Sequence, residues 1–145
     1  MSRPSQVDPR GPRVAAALTS LVLAAALVAS SPAREFLLVL QAVVFALGAF
    51  VGVTATPYAA LFRSFVRPRL TPATELEDAH PSQFAQLVGL IFIMVALAGF
   101  LTGLDVLGYV AAAAAFVAAL LNAATGFCLG CELYLTTRRL AKSLA

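Results

Sequence analysis

The chain of 145 residues carries two thiols, Cys128 and Cys131, separated by Leu129 and Gly130 within the stretch TGFCLGCELY at positions 125–134. A dithiol at this CxxC spacing is compatible with three chemistries. Its thiolates can exchange with a disulfide, or accept sulfane sulfur, from a soluble protein. They can bind a metal, although a structural zinc site asks for four ligands and the chain adds only His80 and nearby carboxylates unless a second subunit contributes. Reduced and buried, they act as small apolar side chains. On a continuous helix Cys128 and Cys131 fall on adjoining faces, close enough for a disulfide, with Glu132 four residues beyond Cys128. Gly126 and Gly130 let the backbone open and present the thiols at a surface. A thiolate there gains from arginines such as Arg138, Arg67 or Arg69, which also suit docking of a partner, and loses from apolar burial. Glu132 is placed to move protons. A stable disulfide is not expected on a reducing cytoplasmic face.

Other reaction signatures are missing. The sequence has no GxxxxGK[ST], HExxH or GxSxG, and one histidine, which argues against hydrolases and nucleotide-driven pumps. No motif calls for a cofactor. His80, next to Pro81, reads as a residue at a helix start.

These thiols are carried on a chain with the composition of a membrane protein. Apolar residues make up 61%, charged residues 12%, and the mean hydropathy is +0.91, against roughly 25% charged residues in soluble domains. Apolar runs at 14–30, 36–53, 84–104 and 106–127 predict an all-α integral membrane bundle of four transmembrane helices, since a lipid-embedded backbone must satisfy its own hydrogen bonds. Arg3, Arg10 and Arg13 precede the first run, Arg63, Arg67 and Arg69 separate the second from the third, and Arg138, Arg139 and Lys142 follow the fourth. By the positive-inside rule both termini, the loop 54–82 and the tail 128–145, with its cysteines, face the cytoplasm of a bacterial inner membrane. The first run with Ala29, Ser30 and Ser31 also fits a signal peptide, whose removal would leave three spans in the same orientation. This topology accounts for the net charge of +3 without nucleic acid as a partner.

In the central loop, Leu61, Phe62, Phe65 and Val66 gather on one side of a short helix over 58–66, read as interfacial. Pro68 and Pro72 end it. The acids Glu75, Glu77 and Asp78 form either a solvated stretch or a docking patch that can pair with Arg67 or Arg69, and Asp78, His80 or Ser82 can cap the third span. Within the spans, Gln41 and Asn122 must face protein, as a structural hydrogen bond or as part of a substrate path. The GxxxG pairs Gly48/Gly52, Gly99/Gly103 and Gly126/Gly130, with the run of alanines at 111–115, predict close helix packing, within the chain or in a homo-oligomer.

Several segments together resemble the bacterial membrane family called domain of unknown function 4395: VDPR at 7–10, VRPRL at 66–70, PSQFAQLVG at 81–89, and Asn122 followed by GFCLGCELY at 126–134. The resemblance covers nearly the whole chain. It implies a compact multi-span protein associated with thioredoxin-like or sulfurtransferase proteins, without an assigned activity. The function expected is thiol-disulfide or sulfane-sulfur exchange through the CxxC with such a partner. Two alternatives stand beside it, a transporter of small solutes or sulfur compounds, and a membrane scaffold whose cysteines are structural.

Overall fold

The computed structural model describes residues 6–72 and 76–144. A strand β1 (Gln6–Val7) leads into α1 (Arg10–Val28). After a tight turn, α2 (Ala33–Ala46) continues as a wider π-type helix, Leu47–Val51, and ends at Gly52. A 3-10 turn (Val53–Ala55) precedes α3 (Pro57–Leu61), which widens into Phe62–Val66 and closes with the turn Arg67–Arg69. Then come β2 (Glu77–Asp78), α4 (His80–Leu101), α5 (Asp105–Thr125) and α6 (Leu129–Leu144). The chain is all-α apart from the antiparallel pairing of β1 with β2, Gln6 opposite Asp78 and Val7 opposite Glu77.

Four helical rods, at 10–28, 33–51, 80–101 and 105–125, are long and apolar enough to cross a membrane. The helices begin three or more residues before three of the apolar runs, because hydropathy marks the apolar middle of a rod while its polar ends remain helical. At α4 the reason is visible: Asp78 Oδ1 accepts the His80 backbone N–H at 3.0 Å, and Pro81 sits in the first turn, where an amide hydrogen is not needed.

The rods form a ring in which α1 touches α2 and α5, and α4 touches α2 and α5, the arrangement of an up-and-down four-helix bundle. Leu23, Leu38, Ile93 and Ala96 are fully buried at its centre. Ala111, Ala112 and Ala115 are buried on α5 and belong to the same core, while Ala114 of that run is exposed.

The GxxxG expectation needs correction, because the two glycines of each pair do different work. Gly48 leaves room for the Gln86 side chain, Gly99 lets the backbone at Gly108 approach, and Gly130 lies against Ala85. Gly52, Gly103 and Gly126 have positive φ and occupy turns. What looks like three packing motifs is three helix ends, each with one contact glycine beside it.

The three arginine-bearing segments meet at one end of the bundle. β1 pairs with β2 there, Arg10 donates to the Thr71 carbonyl at 2.9 Å, Arg13 donates to the Ala123 carbonyl at 3.1 Å, and Ser82 lies beside Cys131. At the opposite end Arg34 pairs with Glu35 at 2.9 Å, donates to the Tyr109 hydroxyl and lies 3.9 Å over the Phe100 ring. In the loop, Thr56 caps α3 by accepting the Ala59 N–H. Phe62 turns inward and is buried, with its ring toward Gly11, while Leu61 and Phe65 stay exposed; the four apolar residues therefore do not share one face.

Candidate functional site

The last span does not run through the cysteines. Gly126 takes a left-handed conformation (φ 79°) and its N–H returns to the Asn122 carbonyl, closing α5, which is the common glycine ending of a helix. Thr125 reinforces the break, its hydroxyl accepting the Phe127 N–H at 3.2 Å. Arg13 of α1 donates to the carbonyls of Ala123 and Ala124, placing a cation at the negative end of α5. After two residues α6 begins at Leu129. What the sequence suggests is a tail is thus a 16-residue helix.

Cys128 stands immediately before α6. Its carbonyl accepts the Glu132 N–H at 3.0 Å, and its sulfur accepts the Cys131 N–H at 3.1 Å. That sulfur occupies the place of a helix-capping oxygen. The Cα atoms of the two cysteines are 5.1 Å apart and their sulfurs are at bonding distance, so the pair is close enough to form a disulfide. Both cysteines are half-buried. Cys131 Sγ lies 4.0 Å from the Ser82 hydroxyl on α4, and α6 is held against α4 by the Gly130 to Ala85 contact and by Phe84 against Tyr134, ring centroids 5.6 Å apart. Glu132 contributes its backbone to this cap and its side chain is exposed. Among the described residues no third metal-ligating side chain joins the pair in a cluster.

A cavity of about 350 Å³ opens beneath Cys128, between α1, α4, α5 and the start of α6. Its walls are largely alanine, including Ala114, Ala115, Ala118 and Ala119, and its polar lining comes from Thr19, Ser82, Gln86 and Asn122. A second cavity of about 200 Å³, lined by Asp8, Arg63 and Arg67, shares Pro12, Ser82 and Gln86 with the first.

The sequence-derived candidates separate into groups. Asn122 lines the larger cavity. Gln41 is fully buried, its Nε2 donating to Thr19 Oγ1 at 3.3 Å and its Oε1 accepting the Tyr58 hydroxyl at 2.7 Å; burial pushes the Tyr58 phenol up. Arg67 lies with Asp8 in the smaller cavity, and Arg69 is exposed. Arg138 stacks over Tyr134, its own neighbour on α6. Asp78 pairs with His80 rather than with Arg67 or Arg69; the His80 backbone N–H and ring hold its carboxyl below the usual range. Glu77 contributes backbone to β2, and Glu75 lies outside the described residues.

Residues 7–139 match the family described as Domain of unknown function (DUF4395). The chain belongs to that family. No curated protein and no solved structure matches.

For this member of domain-of-unknown-function family 4395, the sequence reading missed the side chains that frame the dithiol. Arg13 looks like one more topological charge, yet it caps α5 beside the CxxC. Ser82, Gln83 and Gln86 look like polar residues at a helix start, yet Ser82 and Gln86 line both cavities, and Gln83 ties α4 to the Ala49 carbonyl at 2.9 Å. The available signal is their spacing, since Ser82 and Gln86 are four apart and share a helix face.

Proposed function

We infer that this family 4395 protein is a multi-pass membrane protein of the bacterial inner membrane, and that Cys128 and Cys131 exchange electrons or sulfane sulfur with a soluble thioredoxin-like or rhodanese-like protein on the cytoplasmic side. The observation that carries the reading is the Cys131 N–H donating to Cys128 Sγ at the start of α6. A helix N-terminus favours negative charge, so Cys128 is the better thiolate and the better leaving group. The order of steps follows. A partner thiolate attacks Cys131, the Cys128–Cys131 bond breaks, and Cys128 departs as the capped thiolate. The partner's second thiolate then attacks the mixed disulfide, releasing Cys131 as a thiol and the partner in oxidised form. With a persulfide partner, the same thiolate accepts the outer sulfur and the partner leaves as thiolate.

Arg13, at the C-terminus of α5, adds positive charge beside this turn, and the exposed Glu132 is available to accept the protons released. Arg69, Arg138 and Asp78 offer charge for docking at the same end of the bundle. The transport alternative draws on the cavity and Asn122, but Gln41 is already engaged on both sides of its amide. A scaffold needs no reactive sulfur and predicts full function in a double Cys→Ser variant.

The test is exchange in purified protein. The oxidised chain, in nanodiscs, is mixed with a reduced thioredoxin-class protein and the thiols of each are counted over time. Stoichiometric oxidation of the partner, absent with Cys128→Ser/Cys131→Ser, is expected. A native chain whose disulfide is untouched by the reduced partner would overturn the reading.

A further inference from the structure

Cys128 is among the residues that line the larger cavity, and Cys131 borders it through Ser82, a lining residue whose hydroxyl lies 4.0 Å from Cys131 Sγ. Exchange with a soluble dithiol leaves electrons on the cysteine pair, and a catalytic cycle needs somewhere for them to go. We propose that this cavity binds a membrane quinone that reoxidises the dithiol; the proposal rests on the exchange reading above.

Three observations select this occupant. The cavity volume of about 350 Å³ falls within the range of about 300–1,000 Å³ typical of small-molecule sites. Its alanine walls are smooth and apolar, and its rim includes Phe92, Ala114 and Leu133, all exposed on the outer surface of the bundle, so a lipid-dissolved molecule can enter from the side. Its polar groups lie where a ring oxygen would need them, Ser82 and Asn122 as donors near the cysteine end. Gln86 also lines it.

The redox step balances within this assembly. The two S–H bonds of Cys128 and Cys131 break and the S–S bond reforms, releasing two electrons and two protons. The quinone takes both electrons and both protons on its two carbonyl oxygens and leaves as the quinol. Cys128 is the sulfur facing the ring, and Cys131, beside Ser82, remains the sulfur that meets the soluble partner. Electrons thus pass from a cytoplasmic dithiol to the membrane pool through two sulfurs three residues apart.

The test uses the full chain in nanodiscs, reduced with dithiothreitol and desalted, then mixed with decylubiquinone. Loss of quinone absorbance, with one quinone reduced for every two thiols lost, is expected. Ala118→Phe, which fills the cavity wall, should slow this by about tenfold or more. A photoreactive azidoquinone on the wild-type chain gives a readout independent of any variant's folding, and should label peptides of α4 and α5. If the thiols survive decylubiquinone and the label falls elsewhere, as when lipid chains simply fill the space, the quinone site is overturned. The same reduced chain is then offered an oxidised thioredoxin-class protein: exchange means that only the quinone site is lost, and no exchange means that the proposed function falls with it.

Discussion

The backbone N–H of Cys131 points at the sulfur of Cys128, 3.1 Å away, which makes a cysteine the cap of the helix that carries its own partner. The two thiols are therefore not equivalent. In the single-cysteine variants at neutral pH, Cys128 (in Cys131→Ser) should be alkylated by iodoacetamide faster than Cys131 (in Cys128→Ser). Equal rates would remove the basis for assigning Cys128 as leaving group.

The bend that presents the pair depends on Gly126. A side chain at φ 79° is strained, and Gly126→Ala should cost about 1 kcal/mol, read as a lower midpoint of thermal unfolding in detergent. Gly130 fails in another way. A Cβ there would come within 2.5 Å of Ala85 Cβ, so Gly130→Val should push α6 from α4, raising protease sensitivity in 129–144 while the four rods stay folded.

Gln41 tests structure against transport. Gln41→Leu strands the Tyr58 hydroxyl and weakens the tie to α1, and should lower stability by about 1–3 kcal/mol, leaving dithiol exchange at wild-type rate. Loss of exchange with stability intact would place Gln41 in the working path instead.

Asp8 gives the fold an acid-sensitive latch. Its nearly buried carboxylate makes a two-pronged pair with Arg10, with bonds of 3.0 and 2.8 Å, and the Arg10 hydrogen bond outweighs burial to hold Asp8 below the usual carboxylate range. The ionised form is favoured by folding, so the stabilisation is fully present above about pH 4 and is lost as pH falls through the lowered value. Wild-type protein should lose thermal stability below pH 4 more steeply than Asp8→Asn, which is less stable at neutral pH. Parallel pH curves would contradict the latch.

The apolar runs, each long enough for a rod, made the four rods legible from the sequence, and the three arginine clusters do meet at one end. The helix ends were less legible, because residues 80–83 are polar and helical at once. The site was legible as a pair of sulfurs but not as a place. Nothing local in GFCLGCE distinguishes a continuous helix from a break, and the choice is made by Gly126 together with Arg13, more than a hundred residues earlier. The inward turn of Phe62 was hidden for the same reason, since it depends on the small Gly11 opposite it on α1. The cavity depends on which alanines of the 111–119 region face inward, and composition carries no such information.

Thiol trapping in cells shows whether the cysteine pair cycles between dithiol and disulfide at the cytoplasmic face. Intact cells and inverted membrane vesicles are treated with a mass-tagged alkylating agent, with and without prior reduction. Cys128 and Cys131 should label from the cytoplasmic side, with a fraction that becomes reactive only after reduction. Thiols that stay fully reduced, or that label only after denaturation, would contradict such cycling.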